Sequence, residues 1–367
     1  MKSIVYGPEN IPCWQEQRQP KPNHHQVLVK VHAVGLNPVD AKGVIGDKLP
    51  HNWTTLQGMA RRCIVRSQVI GFDFAGTVVE AGRAVQEEFQ PGDPVYGIMP
   101  PSRYGGTLQE QLSVPSVQLA KLPSSVPLAT AAALPLVGIT AYQCLTDSGW
   151  DCPSPEHSPK LLVLGASGGT GHVAVQVGRC LQPEAPIVAV CSSRNVDFVQ
   201  SLAENLTVLD YRAPDFLQQL RAHGPFDVVM DCVTSGDPRD QATINYQELL
   251  FGDNQLLTPH SQYRRLGGAF SDWWRAGMER TVHIKLWSNP RAKLFWIQMH
   301  NTAPTLRQLA AWMEQEKVKP HIAETIPFTP EGIEQGFVSL LKRRVVGKLV
   351  VTFPVAVAMD SSQAKQE

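Results

Sequence analysis

Gly165, Gly168 and Gly171 stand three residues apart, directly after the aliphatic run Leu161-Leu-Val-Leu164 and directly before an apolar segment of helical spacing. Glycine permits a tight turn and lets the main chain approach a pyrophosphate. The free amides and positive end of a following helix then favour the phosphate charge. Ser167, Gly168, Gly169, Thr170 and Gly171 would surround that pyrophosphate, and the chemistry such a cradle serves is hydride transfer. The spacing is G-x-x-G-x-x-G rather than G-x-G-x-x-G, so a plain glycine-rich loop of an α/β protein competes until the neighbouring segments are read.

Those segments favour a dinucleotide. Ile187-Val-Ala-Val-Cys191 has the pattern of a second strand about 20 residues beyond the glycines, where the adenosine ribose is usually read. An NAD enzyme would want a carboxylate there. This chain has Ser192, Ser193, Arg194 and Asn195 instead, hydroxyls and a guanidinium that suit a 2′-phosphate, and NADPH is therefore the expected cofactor. Tyr211, ending the strand-like run Thr207 to Tyr211, can pack on adenine or donate to the same phosphate. Cys232, at the end of a fourth strand pattern from Phe226, and Leu266 are further cofactor candidates, Cys232 as a neighbour of the nicotinamide ribose.

Strands must hold these residues at one edge of a sheet. Strand patterns alternating with helical ones, including Gly171 to Leu181, predict a doubly wound parallel sheet. The first 125 residues or so differ: short strand patterns such as Gln26 to Gly35 and Gly76 to Gly82, punctuated by Gly and Pro, predict a compact β domain with long loops. Thr130 through Leu145 reads as a helical connection, Cys152 to Pro159 as a surface loop, Thr305 to Glu316 as an amphipathic helix and Gly347 to Phe353 as a strand returning to the first domain.

The chain of 367 residues has room for two domains and a large core. Its 33 basic and 33 acidic side chains cancel, which gives no general electrostatic reason to expect nucleic acid or an anionic membrane. Seven cysteines without a Cys-x-x-Cys spacing suit reduced thiols in an intracellular compartment better than a disulfide frame or a structural zinc site; the expected compartment is the cytoplasm, with non-cleaved organelle targeting left open. No cleavable address is visible at the N-terminus, no apolar run approaches the ~20 residues that cross a bilayer, and residues 355–367 read as a loose tail.

Four further segments carry a family resemblance: Gly35-Leu-Asn-Pro-Val-Asp-Ala-Lys42, Gly71-Phe-Asp-Phe-Ala-Gly-Thr-Val-Val-Glu-Ala-Gly82, Gly92-Asp-Pro-Val-Tyr-Gly97 and Leu134-Pro-Leu-Val-Gly-Ile-Thr-Ala-Tyr142. With the glycine loop and the closing Val346-Gly-Lys-Leu-Val-Val351, they stand in the order seen in medium-chain dehydrogenase/reductases. The set resembles the zinc-free quinone oxidoreductase and alkenal/enone reductase branch, including its reticulon-4-interacting-protein-like members. The resemblance implies a GroES-like β-barrel domain from residues 1–126 and 318–354, a Rossmann domain from 127–317, and a cofactor cleft between them. It leaves a homodimer open.

Zinc-dependent relatives use a cysteine, a Gly-His-Glu segment and a lobe of four cysteines. Here Phe72-Asp73 stands where His-Glu would, the early cysteine position falls in Asn37 to Asp40, and no four-cysteine lobe is present. His24-His25 would point to opposite faces of a strand, which disfavours a shared metal. Without a Lewis acid, hydride delivery to an already electrophilic carbon remains, as in a quinone or a conjugated enone. Lys42 and Asn37 are the candidate catalytic residues, since the resemblance implies that this lysine lies beside nicotinamide and substrate. Asp40 reads as a turn stabiliser and Tyr142 as core.

Alternatives stay open. The chain could be an NADPH-binding regulatory or interaction protein with little catalysis, or an enoyl-thioester reductase. Aromatic and basic residues interleave from Phe270 to Trp296, as an aromatic flap over substrate, a membrane or single-stranded nucleic-acid surface, or core with a solvated basic face. Residues 59–68 also depart from the family pattern.

Overall fold

The structure, a computed structural model, describes residues 1–6, 12–45, 69–99, 105–152, 158–234, 244–268, 270–282 and 289–354. The expectations placed on residues 59–68 and on the tail 355–367, together with the central part of the Cys152 to Pro159 loop, lie outside that set.

The chain begins with an antiparallel pair, β1 (Lys2–Tyr6) and β2 (Pro12–Glu16). β3 (Gln26–Leu36) is buried along almost its whole length because it pairs with three other strands. The helix α1 (Pro38–Ile45) follows at once, with proline at its first position and Asp40 in its first turn. β4 (Asp73–Ala81), β5 (Pro94–Ile98), β6 (Gln111–Pro115) and β7 (Leu119–Lys121) complete the N-terminal part of this sheet.

The expected single helical connection is two helices, α2 (Leu128–Ala132) and α3 (Pro135–Thr146). Pro135 has no amide hydrogen to continue the bonding of the first helix, so one helix ends and another starts there, although Leu134 keeps a right-handed helical backbone.

The doubly wound half then runs β8 (Leu161–Leu164), α4 (Gly171–Leu181), β9 (Ile187–Cys191), α5 (Val196–Gln200), β10 (Leu206–Asp210), α6 (Phe216–His223), β11 (Phe226–Asp231), α7 (Tyr246–Phe251), β12 (Leu257–Arg265), α8 (Phe270–Val282), β13 (Ala292–Leu294) and α9 (Ala303–Glu314). Its strands are all parallel, in the order β10-β9-β8-β11-β12-β13. Apolar clusters cover both faces, one around Val163, Val173 and Ala189, the other around Leu162, Val190 and Val229. That is why β8 and β9 read as unbroken apolar runs rather than alternating ones. The strand order reverses between β8 and β11, so the crevice outside their C-terminal ends is where a ligand belongs.

The chain finally returns through β14 (Ile322–Pro327), α10 (Pro330–Leu341) and β15 (Lys348–Thr352). β15 pairs antiparallel with β3, giving a seven-stranded sheet β14-β15-β3-β4-β5-β7 with β6 also on β3. One apolar cluster runs continuously from β4 and β5 into the parallel-sheet half, through Tyr96, Leu134, Ile139 and Val163. The Tyr96 hydroxyl crosses the same boundary to donate to Leu306 O at 2.5 Å. Two boundaries shift from expectation: β10 stops at Asp210 and β11 at Asp231, which puts Tyr211 and Cys232 in the loops just beyond. No helix among the described residues is long and apolar enough to cross a membrane.

Candidate active site

The glycine loop connects β8 to α4 at the switch point. A side chain at Gly171 would run into Gly165 O, so the turn can close only with glycine there. Gly168 is the opposite case: a built Cβ meets only Gly165 O, at 3.4 Å, and the main chain otherwise faces open space. An open, side-chain-free backbone at the start of an eleven-residue helix fits a pyrophosphate. Ser167 accepts the Gly347 N–H on its carbonyl (3.0 Å) and the Asn195 amide on its hydroxyl (2.9 Å).

His172 holds the loop from behind. Its Nε2 accepts the main-chain N–H of His321 at 3.0 Å, so Nδ1 carries the hydrogen and donates to Gly168 O at 2.8 Å. Burial pushes its pKa down to about 4, with His321 and Lys348 adding to the effect, so the ring is neutral. Sequence reading missed this residue because a histidine after a glycine run has no signature of its own.

Just beyond β9, Ser192 is buried and Ser193 and Arg194 are exposed. The five residues from Cys191 to Asn195 include no carboxylate. Tyr211 sits just past β10 with the Arg212 guanidinium 5.4 Å from its ring centre, and Arg212 Nε donates to the Tyr211 hydroxyl at 3.3 Å. Arg212 was legible as a second base at a strand end but was not singled out.

Just beyond β11 and β12, Cys232 N–H donates to Leu164 O at 3.1 Å and Leu266 N–H to Asp231 O at 2.9 Å. Buried Asp231 organises both loops: its Oδ1 accepts the Val233 and Thr234 amides at 2.8 Å and its Oδ2 the Tyr263 hydroxyl. Burial raises the Cys232 thiol well above its usual range, which makes it an inert neighbour rather than a nucleophile.

Asn37 and α1 carry the candidate catalytic residues. Asn37 is buried and caps α1, and Asp40 Oδ2 accepts its N–H at 2.8 Å, one half of a capping box. Both amide hydrogens of Asn37 have acceptors, Asp73 Oδ2 at 2.9 Å and Gly35 O at 3.3 Å, while its Oδ1 accepts from Lys348 Nζ at 2.5 Å. Lys348 Nζ also donates to Leu36 O at 3.0 Å and lies 3.3 Å from Asp73 Oδ2. Asp73 Oδ1 accepts the Leu136 amide at 2.7 Å. Asp40 and Asp73 are both buried, and among the described residues Lys348 is the ammonium that pairs with Asp73 and acts on Asp40 through its charge. Burial and the neighbouring Asp73 charge push Asp40 up to about 8, so it holds a proton at neutral pH.

Asn37, as placed, has no N–H left for a substrate oxygen; it holds the loop that begins α1. Lys42 lies in α1, one turn beyond this loop, with its side chain outside the described set. Tyr142 packs on Trp312 with ring centres 6.0 Å apart, in the core. His24 and His25 form an exposed turn before β3. No group of three His, Cys, Asp or Glu among the described residues could hold a metal.

The aromatic and basic segment is partly helical. In and beyond α8, Trp273 meets Trp296 edge-on at 5.9 Å, Phe295 is buried, Lys293 pairs with Glu279, and Arg291 lies 5.2 Å from the Phe251 ring centre. Trp274 remains exposed. Residues 283–288, with Lys285 and Trp287, lie outside the described set.

Comparison with known proteins agrees with this architecture. Residues 23–124 match the alcohol dehydrogenase GroES-like domain and residues 205–351 the zinc-binding dehydrogenase domain. The chain is 30% identical over 335 residues to the trans-enoyl reductase pgmF of Aspergillus terreus, covering 89% of this chain and 86% of that one. It is 28% identical over 339 residues to the mitochondrial NAD(P)H oxidoreductase RTN4IP1 of Bos taurus, covering 89% and 81%. The fold is also that of the quinone oxidoreductase from Coxiella burnetii, with a TM-score of 0.70 at 23% identity over 96% of this chain and 99% of that one. From the glycine cradle at the switch point to the β15 strand that returns beside β3, the chain belongs to the medium-chain dehydrogenase/reductase family of oxidoreductases, a family that binds NAD(P).

Proposed function

We propose that the protein is a zinc-independent, NADPH-dependent reductase of quinones or α,β-unsaturated carbonyls. The observation that carries the cofactor choice is the end of β9: Ser192, Ser193 and Arg194, with Tyr211 and Arg212 at the end of the neighbouring strand, and no carboxylate from Cys191 to Asn195. Two guanidinium groups and three hydroxyls suit a 2′-phosphate, and a stretch without an acid lacks the partner an NAD ribose would need, which supports NADPH.

Bound NADPH supplies the hydride. The chain's own residues hold its pyrophosphate on the Ser167–Gly171 amides, border the nicotinamide with Cys232 and Leu266, and offer Lys42 as donor to the acceptor oxygen on which negative charge develops. Asp73, of the Phe72-Asp73 pair that replaces the zinc relatives' His-Glu, and Asn37, in the Asn37 to Asp40 stretch where their early cysteine falls, spend their polar atoms on each other, on the Lys348 ammonium and on main-chain groups. That donor set fits a buried ammonium and not a zinc ion. A reducing, cytoplasmic compartment belongs to the same reading.

A second reading, reduction of an enoyl thioester, is favoured by the likeness to a trans-enoyl reductase over 89% of the chain. The deciding experiment follows NADPH oxidation with quinones, alkenals, enones and an enoyl thioester, with NADH as control. Turnover with NADPH that falls about a hundredfold in Lys42→Ala supports the main reading. Turnover confined to the thioester selects the second. Tight NADPH binding without turnover on any acceptor leaves a cofactor-binding regulatory protein.

A further inference from the structure

We propose that Lys348 is a positioning residue that couples the phosphate cradle to the acceptor side of the site. The inference rests on the reductase reading above and adds a residue and a route to it.

Lys348 touches both halves of the site at once. The residue before it, Gly347, has φ +79° and donates its N–H to Ser167 O, while the Lys348 N–H donates to His321 O at 2.9 Å. A side chain at Gly347 would strike His321 O, so glycine is required for this approach. The Lys348 stem then crosses the cradle: a Cβ built on Gly169 would lie 3.3 Å from its Cδ. Its ammonium finally reaches three acceptors, Leu36 O, Asn37 Oδ1 and Asp73 Oδ2. One side chain thus runs from the glycine loop to the residue that caps α1, the helix carrying Lys42.

A buried ammonium at this place is a poor device for stability alone. Desolvating it is costly, and an apolar residue of similar length would serve the packing as well or better. What an apolar residue cannot do is fix Asn37 in direction through a charge-assisted hydrogen bond. A displacement of the α1 start by about 1 Å is enough to lower a hydride-transfer rate a hundredfold.

The test compares wild type, Lys348→Met and the charge-balanced Asp73→Asn/Lys348→Met. The first readout needs no turnover: hydrogen exchange of the amides from Asn37 to Ile45, with and without NADPH. NADPH is expected to slow exchange there in wild type and to leave it unchanged in Lys348→Met, although that variant still binds NADPH within about threefold of wild type. The second readout is kinetic. We expect kcat to fall about 10- to 100-fold in Lys348→Met with a larger deuterium isotope effect from labelled NADPH, and the double variant to regain thermal stability without regaining kcat.

The proposal is overturned if exchange in Asn37–Ile45 responds to NADPH equally in wild type and Lys348→Met, or if the double variant recovers stability and kcat together, which would make Lys348 a charge-balancing residue only. Wild-type protein that binds NADPH but reduces no acceptor ends the reductase reading and leaves the exchange comparison to decide Lys348. Wild-type protein that does not bind NADPH ends both.

Discussion

His172 and His321 join through one hydrogen bond, the main-chain N–H of His321 donating to His172 Nε2 at 3.0 Å, although 149 residues separate them. Because Nδ1 of the same ring donates to Gly168 O, a single neutral imidazole clamps the glycine loop to the segment that re-enters the β domain. Gln176, one turn further along α4, repeats the connection by donating to Lys319 O at 3.2 Å and accepting the Lys319 N–H at 2.7 Å.

A protonated His172 could not accept from His321, so acid should loosen this clamp. The folded protein holds the ring neutral with a pKa of about 4, below the ordinary 6.5. The unfolded chain therefore binds the extra proton first. Stability from this group is complete above about pH 6.5 and is lost as pH falls toward 4, by on the order of 3 kcal/mol in all. Urea midpoints at pH 7.5 and pH 5 should drop more in wild type than in His172→Gln. Equal drops would show that His172 does not set the acid limit.

Asp40 should act in the opposite direction. Its carboxyl keeps a proton in the folded state to about pH 8, whereas the unfolded chain releases it near 4. Its contribution is full below the unfolded value and is lost as pH rises to about 8. Asp40→Asn preserves the acceptor for the Asn37 N–H and removes the ionisation. The variant should gain on wild type by a few kcal/mol at most between pH 5 and pH 8, read as a growing difference in urea midpoint. A constant difference across that range would mean that Asp40 is ionised when folded.

The sequence showed much of this site and concealed its connections. β8, α4 and β9 were legible to the residue because a strand covered on both faces is a continuous apolar run and a glycine turn is local. Asn37, Asp73 and Lys348 sit in separate motifs, and nothing local says that an amide at 37 and an ammonium at 348 meet. Lys348 stands as one polar residue in the apolar stretch Val346 to Val351, where no local pattern says which face its side chain takes. Its partner strand β3 is covered on that face, so the same side chain is buried. Asn37 was placed as a candidate at the reaction and is instead fully engaged in holding the loop. Tyr211 was read as the last residue of a strand, but β10 ends one residue earlier and leaves it free to meet Arg212.

Gly171 tests the cradle itself. Gly171→Ala would press its Cβ against Gly165 O, and main chain on both sides leaves no flexible side chain to yield. The variant should lose about 2 kcal/mol or more of stability and much of its NADPH affinity, because the loop must open to relieve the contact. Gly168→Ala, whose Cβ meets ordinary contact distance only, should remain as stable as wild type yet bind NADPH more weakly, since the methyl group would stand in the open space above the loop. A thermal-shift series with and without NADPH separates the two, and equal behaviour of the variants would place the phosphates elsewhere.

Arg194 and Arg212 make the choice between NADPH and NADH measurable. Each guanidinium is exposed and can swing onto a 2′-phosphate, and charge-assisted hydrogen bonds of this kind are worth about 1.5–3 kcal/mol. Arg194→Glu should therefore raise the Kd for NADPH roughly 10- to 100-fold, and leave NADH binding unchanged or slightly improved as the new carboxylate meets the ribose hydroxyls. Arg212→Ala should weaken NADPH less and also free the Tyr211 ring, whose face the guanidinium now covers. The added phosphate of NADPH would then contribute little in the double variant. If NADPH and NADH lose affinity together in Arg194→Glu, the side chain touches the shared adenosine diphosphate instead, and the β9 end does not set the cofactor preference.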